Sequence, residues 1–552
     1  PSDRILPLMG DGMRVDYIII GAGSAGCVLA ARLSENPDVS VLLVEAGGAD
    51  TNPFIHIPAG FVKTMVNPSL NWMFTTADED YLGGRQLKMP RGKVLGGTSS
   101  INGMLYVRGL ASDYDGWAQR GNPGWSFDEI LPYFHKSEDF QPKDTAGDDG
   151  YHSTGGPMHI DQPRTRYPAL DAIMDAAEEC GYPRNDDYNG AGQFGFGYYQ
   201  LNQKNGRRQS AYRAFVKPIE SRKNLTIMTG AQAQTLLFAS DDACHAIGVK
   251  VRRRGRTEDL FASHEVIMCA GAIQSPQLLE LSGIGQPDRL AELGIKVRCE
   301  SKGVGENLTD HYLTRLTWEL SQPISLNEKT RGIKLLGELA TYLLHQRGSL
   351  SMPAGILGGF VKSDPVIDEP DIQFLVAHAS FANPAKRTFD KFPGLSIGPN
   401  QSRPHSRGHV HITSADPLVA PEIAPRYLTA EHDRFVLVEG MKIARRIMAA
   451  DCLRDLVKRE VRPGPEIGDD EGLLAFARET GNTVYHPVST CRMGPDKAAG
   501  DVVDAELRVH GMRGLRVVDA SVMPQITSGN THAPTVMIAE KAADMIKTAY
   551  RI

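Results

Sequence analysis

The first apolar run of the chain predicts a buried parallel strand. Residues 15–20 (VDYIII) are mostly β-branched or aromatic, which favours a strand. The small residues of Gly21-Ala22-Gly23-Ser24-Ala25-Gly26 then turn the chain tightly into a helix that begins near Ser24. A second apolar run, residues 39–44, ends at Glu45. The pattern therefore predicts a β-α-β unit at the start of the fold.

The spacing inside this unit is typical of a dinucleotide site. Gly21 permits the turn, Gly23 lets a pyrophosphate approach the backbone, and Gly26 lets the helix pack closely on the strand. The pyrophosphate is expected at the N-terminus of the helix, at Ser24, where free N–H groups point outwards. Glu45 follows Gly26 by about 20 residues, the position from which a carboxylate holds the ribose hydroxyls.

Later apolar segments fall into two groups. Strands that extend the first sheet are predicted at residues 225–238, 246–253, 265–269 and 515–518. An antiparallel sheet carrying helices is predicted between about 312 and 480, with strands at residues 313–320, 371–377 and 409–413 and helices at residues 332–346 and 433–448. Residues 113–140 follow a helical pattern, and residues 142–156 predict an exposed polar loop.

The fold class expected from these segments is α/β, or α+β overall, in two domains. A discontinuous Rossmann-like nucleotide-binding domain takes residues 13–155, 213–311 and 482–552. A substrate-binding domain of antiparallel sheet plus helices takes residues 156–212 and 312–481. A chain of 552 residues is long enough to divide in this way.

Composition excludes several classes of function. The net charge of −6 and the pI near 6.3 argue against nucleic acid, or an anionic membrane, as the default partner. No apolar run is long enough to cross a bilayer, so any membrane association is expected to be peripheral, at the inner membrane. Seven scattered cysteines without a CxxC pair indicate reduced thiols and a cytoplasmic protein. Residues 1–12 look foreign to the fold, and Met13 is the expected natural start.

Residues 91–109 are unusually rich in small side chains, which cannot build a core by themselves. They suit backbone laid flat against a large planar ligand, with Arg91 and the amides of Gly96 and Gly97 near phosphate or carbonyl oxygens. The alternative is a plain glycine loop before a helix, and the position after a nucleotide-binding unit favours the ligand.

Four stretches resemble the glucose–methanol–choline (GMC) oxidoreductases. Residues 92–115 and 271–285 are similar to the two signature stretches of that family, and residues 485–494 and 518–541 are similar to its catalytic segments. The resemblance extends from Met13 to Ile552 and is nearest to the bacterial choline-dehydrogenase-like branch. It implies an FAD cofactor, a Rossmann-like flavin domain and an antiparallel sheet over the flavin.

The resemblance also assigns residues to the FAD site. They are Gly21, Gly23, Ser24, Gly26, Glu45, Ala46, Trp72, Arg91, Gly92, Gly96, Gly97, Asn102, Ala233, Ala270, Gly271, Asp519, Ala520, Asn530 and Thr531. Trp72 and Ala233 are expected at the adenine, and Arg91 with Asn102 along the pyrophosphate and isoalloxazine. Some relatives carry a histidine that bonds the flavin covalently, but Ile101 stands at that position here, so noncovalent FAD is expected.

Alcohol oxidation by a flavin needs a base for the hydroxyl proton and a carbon held over flavin N5. The resemblance implies His486 as the base and Asn530 as its partner, which orients the alkoxide. Without the resemblance, the simpler interpretation of His486 would be a buried histidine whose ring is hydrogen-bonded to the backbone. His532 is expected to be structural or capping, and His311 a hydrogen-bonding residue at the domain boundary.

An apolar wall at the flavin face is expected from Met104, Tyr106, Phe374 and Tyr485, which are equally compatible with ordinary core. No carboxylate cage or arginine marks a charged substrate, which favours an uncharged primary alcohol. His409 and His411 share a strand face, but no third ligand lies near, so the strand is interpreted as solvated and no metal is expected.

The predicted function is oxidation of an alcohol to the aldehyde by hydride transfer to flavin N5, with a quinone or another acceptor taking the electrons. Two alternatives keep the flavin: an alcohol oxidase that reduces O2 to hydrogen peroxide, and a hydroxynitrile-lyase-type enzyme without redox turnover. A nicotinamide-dependent dehydrogenase follows from the glycine motif alone, and the two signature stretches count against it.

Overall fold

The computed structural model describes residues 13–140, 150–353, 355–383 and 388–552. The expectation about residues 1–12 and most of the loop predicted at 142–156 lie outside the described residues. None of the helices in this described part combines the length and the apolar character needed to span a bilayer.

A seven-stranded sheet forms the nucleotide side of the molecule. Its strands, in spatial order, are Leu225–Thr229, Val41–Glu45, Met13–Ile20, Arg256–Met268, Ala246–Arg253 and Ala231–Phe238, with Leu515–Val517 also paired to Arg256–Met268. The strands beside Met13–Ile20 run parallel to it, and the last three in this order are antiparallel to one another. The single strand predicted at 225–238 is broken at Gly230, which takes a left-handed conformation with φ +65°.

Helices cover this sheet and complete its core. They are Ser24–Leu33, Ala111–Gln119, Phe127–Ser137, Gly271–Leu281 and His532–Tyr550. The first helix packs against the last, and Arg32 forms a two-bond ion pair with the buried Glu540 at 2.7 and 2.8 Å. The two ends of the described chain are therefore held together in one layer.

The second sheet is antiparallel, as predicted, but the strand predicted at 409–413 is not part of it. That strand, Gly408–His411, lies in a separate sheet with Glu306–Leu308 and Glu422–Ala424. The strands of the second sheet, in spatial order, are Leu357–Val361, Ile372–Ala377, Gly394–Gln401, Tyr312–Leu313 and Asn482–Thr483, with Leu316–Leu320 joining Gly394–Gln401 to Val457–Arg462. Its longer helices are Pro168–Glu179, Gly332–His345, Glu431–Met448 and Asp470–Thr480.

The remaining strands and helices are short. The strands are Phe74–Thr75, Lys88–Met89, Leu105–Tyr106, Glu138–Phe140, Met158–Ile160, Gly195–Tyr198, Gln200–Leu201, Gln203–Lys204, Arg207–Arg208, Ile284–Gly285, Cys299–Glu300, Glu306–Leu308, Phe381–Asn383, Thr388–Phe389, Gly408–His411 and Glu422–Ala424. The short helices are Pro53–His56, Phe61–Thr64, Pro287–Glu292 and Leu326–Lys329, and the 3-10 turns used below are Pro58–Gly60 and Ser349–Ser351.

Each sheet has its own hydrophobic core. The segment 156–212 divides between them. Met158 and Ile160 pack into the core of the first sheet, although the sequence placed them in the substrate-binding domain, because Glu138–Phe140 pairs with Met158–Ile160. Tyr167 and Phe196 pack into the core of the second sheet.

Candidate active site

A long cavity lies between the two sheets, at the carboxyl ends of the parallel strands. This is the position at which open α/β sheets bind their ligands. Most of the residues that the sequence assigned to the site line it, namely Gly21, Gly23, Ser24, Glu45, Ala46, Trp72, Arg91, Gly92, Gly97, Asn102, Met104, Ala233, Ala270, Gly271, Tyr485, His486, Asp519, Ala520, Asn530 and Thr531. Gly26, Gly96 and Phe374 do not line it.

The glycines make a cradle that has no space for side chains. A Cβ on Gly21, whose φ is +104°, would lie 2.5 Å from the carbonyl oxygen of Cys269. One on Gly97 would lie 2.7 Å from the Cα of Gly23. Gly26 does not line the cavity. A Cβ on Gly26 would lie 1.9 Å from the carbonyl oxygen of Gly21, so glycine allows the helix and the strand to pack closely here. Backbone amides at this helix N-terminus suit a pyrophosphate.

Glu45 ends the second parallel strand and is buried. Its Oε2 accepts the Ala22 N–H at 3.0 Å and its Oε1 accepts the Gly47 N–H at 2.7 Å. Burial raises the pKa of the Glu45 carboxyl to about 7. Both oxygens keep lone pairs for ribose hydroxyls, because each accepts only one of these bonds.

Trp72 and Ala233 line the cavity where the adenine is expected. Trp72 stacks on Phe74 at 5.9 Å, and the Lys93 ammonium lies 4.4 Å from the centre of its ring. The indole is thus held between a second ring and a cation, which fixes a flat surface at this end.

Arg91, Asn102 and Asp519 line the cavity, but each is bonded to the protein. Arg91 donates to the carbonyl oxygen of Tyr485 at 2.6 Å, which takes its guanidinium to the histidine side of the cavity. The Asn102 side-chain oxygen accepts from Arg208 at 2.7 Å. The Asp519 carboxylate accepts the Gly271 N–H at 2.8 Å at the start of helix Gly271–Leu281. These side chains therefore shape the backbone around the cavity.

His486 lies at the other end of the cavity, between an amide and a second imidazole. Its Nε2 is 3.0 Å from the side-chain nitrogen of Asn530. Its Nδ1 is 2.9 Å from Nδ1 of His311, a fully buried residue. The His486 backbone N–H donates to Asp310 at 2.7 Å, and Gln373 donates to the Asn530 oxygen at 3.2 Å.

These contacts fix the proton positions on both imidazoles. Nε2 of His311 is 2.9 Å from the carbonyl oxygen of Ser402, which can only accept, so this nitrogen carries the proton. Nδ1 of a neutral His311 is then an acceptor, and His486 must donate to it from its own Nδ1. The remaining nitrogen of His486, Nε2, is left with a lone pair that accepts from Asn530.

Both histidines are held neutral. Burial lowers the pKa of His311 to about 4. Burial lowers the pKa of His486 well below its usual 6.5, and the neighbouring His311 and Arg91 lower it further. A neutral imidazole with an unprotonated Nε2 facing a cavity is suited to act as a general base.

His532 begins the C-terminal helix His532–Tyr550, and its hydrogen bond goes to another residue than this pair. Its Nδ1 is 2.9 Å from the Ser24 hydroxyl, so it joins the N-termini of two helices. Burial lowers the pKa of His532 to about 4. The structural role expected for it stays a prediction, because its side chain also lines the cavity.

Two of the residues predicted for the apolar wall lie elsewhere. Phe374 is fully buried and packs on Phe196 at 5.5 Å, whereas its neighbour Leu375 lines the cavity, because successive side chains of a strand alternate between its faces. Tyr106 is buried in the first core and donates its hydroxyl to Glu138 at 2.9 Å. Met104 and Tyr485 do line the cavity.

The interpretation of residues 409–413 as a solvated strand is also wrong in part. His411 is buried between Glu280 and Glu306, at 2.7 and 3.0 Å, and stacks on His409. Within the described residues, no cluster of three or more histidine, cysteine or acidic side chains has the arrangement of a metal site.

The sequence missed His311 as a partner of His486, together with Gln373 and Arg208. His311 follows the run Glu306-Asn307-Leu308-Thr309-Asp310, which has no local feature of a catalytic motif. Its role depends on a contact with a residue 175 positions away. Only the tertiary structure provides that information.

Comparison with known proteins agrees with this geometry. Residues 15–313 and 404–539 match two family models described as GMC oxidoreductase. The chain is 41% identical to an alcohol dehydrogenase (acceptor) of Pseudomonas putida, over 96% of this chain and 95% of that protein. It is 39% identical to an oxygen-dependent choline dehydrogenase of Photobacterium profundum, over 96% and 92%.

Solved structures extend the agreement to the whole fold. A formate oxidase of Aspergillus oryzae, studied for modification of its FAD, superposes with a TM-score of 0.90 at 27% identity, over 98% of this chain and 99% of that one. The resemblance, the fold class and the FAD cofactor predicted from the sequence are confirmed, and the glycine cradle with Glu45 fits the cofactor. The chain belongs to the GMC oxidoreductase family and is an FAD-dependent oxidoreductase that acts on alcohols.

Proposed function

We propose that this protein oxidises an uncharged primary alcohol to the aldehyde, with His486 as the base. The observation that carries the proposal is the lone pair on His486 Nε2, which faces the cavity beside the Asn530 amide. FAD, held by the glycine cradle and Glu45, supplies the hydride acceptor at its N5. The substrate hydroxyl would replace the Asn530 N–H as the partner of His486 Nε2, which takes the hydroxyl proton, and the Asn530 amide would then orient the oxygen.

The acidic side chains of the cavity lining are already hydrogen-bonded, which does not favour a cationic substrate. These acidic residues are Glu45 and Asp519, and both carboxylates accept hydrogen bonds from the chain. The base side is lined by Met104, Leu375 and the partly buried Tyr485, to which Arg91 is bonded. The cavity lining also includes two cations, Arg91 and Arg315. A quaternary ammonium substrate would lack the aromatic or acidic cage that stabilises such cations.

The electron acceptor is proposed to be a quinone or another organic acceptor. The Pseudomonas putida relative, an acceptor-type alcohol dehydrogenase, supports this proposal. The alternative is direct oxidation by O2, which the likeness to a formate oxidase supports. We also propose that FAD is noncovalent, since the side chain of Ile101, which lines the cavity, has no nucleophile. We further propose that the protein works in the reducing cytoplasm, because all seven cysteines are free thiols.

Anaerobic mixing with a panel of alcohols, followed by admission of air, tests these assignments. Bleaching of the flavin supports redox chemistry, rapid recolouring in air identifies an oxidase, and no bleaching favours a lyase. His486→Ala is expected to slow flavin reduction by about two to four orders of magnitude while the protein stays yellow. Asn530→Ala should lose less, and His532→Ala should react at nearly the wild-type rate. A normal rate in His486→Ala would assign the base elsewhere.

A further inference from the structure

One helix of the second domain turns its apolar side away from the protein. In helix Gly332–His345, six aliphatic side chains are 40–82% exposed: Ile333, Leu335, Leu336, Leu339, Leu343 and Leu344. A surface helix of a globular protein normally buries such a stripe against the core. Monomeric proteins seldom expose contiguous apolar patches of more than a few hundred Å². Four of them, Ile333, Leu336, Leu343 and Leu344, share one side of the helix and are the most exposed, and we call these four the exposed leucine face.

The opposite side of the helix attaches it to the protein. Tyr342 is its only buried side chain and donates its hydroxyl to the Gly206 carbonyl at 3.3 Å. Glu338, one turn earlier, accepts the Ser349 N–H at 2.8 Å. With 3.6 residues per turn, Glu338 and Tyr342 share one side, while Ile333, Leu336 and Leu344 fall on the other. The apolar face therefore points outwards because the polar face is the anchor.

Cations border the exposed leucine face. Arg347 follows the helix and Lys334 lies on it, about 80° from Leu344 around the axis, and both are exposed. Arg331, also exposed, precedes the helix and donates to the carbonyls of Phe389 and Asp390. Arg207, on the adjacent hairpin, is exposed and lies near Tyr342. Burial raises the pKa of the Tyr342 hydroxyl, and the charge of Arg207 lowers it. The one acid between residues 331 and 347, Glu338, is used in the anchor.

We propose that the exposed leucine face and its cations dock this protein on an anionic lipid bilayer. An apolar face rimmed by Lys and Arg lies in the interface plane, with aliphatic side chains among the acyl chains and cations at the head groups. A second copy fits less well, because a two-fold interface would bring two identical cationic helices together. The net charge of −6 opposed an anionic membrane, but docking depends on the local charge.

The docking face is joined to the wall of the cavity. Helix Gly332–His345 packs against the turn Ser349–Ser351, which in turn packs against Pro58–Gly60. Phe61 and Met65 follow directly and line the cavity. A chain of packing contacts therefore links the docking face to this part of the cavity wall.

Co-sedimentation of the FAD-loaded protein with vesicles tests the proposal. Wild-type protein is expected to sediment with vesicles that contain phosphatidylglycerol, and less with phosphatidylcholine alone or at high salt. Leu336→Glu/Leu343→Glu should lower binding about tenfold or more, because it places charges where apolar side chains insert. Lys334→Glu/Arg347→Glu should lose the preference for phosphatidylglycerol. Val366→Glu is the matched control, since Val366 is 83% exposed on a different segment.

Each outcome decides the question. Because none of these residues belongs to the catalytic site, every variant should reduce its flavin with a soluble alcohol at the wild-type rate, which shows that it is folded. The proposal is overturned if wild-type protein does not bind vesicles, or if the double leucine variant binds equally well. It is also overturned if neither protein binds vesicles and light scattering shows a dimer for the wild type and a monomer for the double leucine variant.

Discussion

Replacing His311 with alanine tests how His486 is prepared to accept a proton. The variant removes the acceptor of the His486 Nδ1–H, at 2.9 Å, in a fully buried position. A buried donor left without a partner costs about 1–3 kcal/mol. His486 avoids this cost by carrying its proton on Nε2 instead of Nδ1. This tautomer is inactive, because Nε2 must be unprotonated to accept the substrate proton. Because 1.36 kcal/mol corresponds to a tenfold change in rate, flavin reduction should slow by about 5- to 150-fold.

His311→Gln is the matched variant, because its amide oxygen can accept the same proton. It is expected to recover part of the rate. Stopped-flow reduction with a saturating alcohol, at equal FAD loading, measures both variants.

The pH profile separates this positioning role from a merely structural one. His486 must be neutral to act, and its pKa lies well below 6.5, so the wild-type rate should be constant from neutral pH down past 6.5. His311 is one of the groups that lower this pKa, so in His311→Ala the acidic fall should move up towards 6.5. A wild-type rate and an unchanged profile in His311→Ala would refute the reasoning.

Three further predictions concern the cofactor. Glu45→Gln should weaken FAD binding by about 1.5–3 kcal/mol, roughly ten- to a hundredfold in Kd, in a fluorescence titration of apoprotein, and an unchanged Kd would contradict the ribose role. Gly97→Ala should lower FAD loading and Tm, because its Cβ would lie 2.7 Å from the Cα of Gly23. Gly48→Ala serves as the control, because a Cβ there meets open space, and equal effects of the two variants would argue against the cradle. Acid precipitation should release FAD into the supernatant, because Ile101 cannot bond it, and flavin in the pellet would disprove this.

The parts of the fold that were predictable depend on short-range chemistry. Strand, glycine turn, helix and Glu45 follow one another within about 30 residues, so the sequence pattern alone predicted the β-α-β unit. The helix at 332–346 was predicted because its period is local, and the structure has it at Gly332–His345. Its outward orientation was not predictable, because the pattern shows which face is apolar and not what lies against it.

The errors share a long-range cause. Phe374 and Leu375 are adjacent on one strand, and which of them lines the cavity depends on how that strand sits in its sheet. Tyr106 lies in the first core because Glu138, from a distant segment, accepts its hydroxyl. His311 meets His486 across a gap of 175 positions. Such pairings follow from tertiary packing and leave no local signal.

The pairing of Arg32 with Glu540 has a consequence for biosynthesis. The two residues are 508 positions apart, so at about 5–20 residues per second a ribosome needs roughly 25–100 s to deliver the second after the first. During that interval helix Ser24–Leu33 exists without the helix that covers it, and the nucleotide cradle lacks Asn530 and Thr531. The emerging chain therefore exposes apolar surface for longer than most domains take to fold, and chaperones that shield nascent chains should bind it before release.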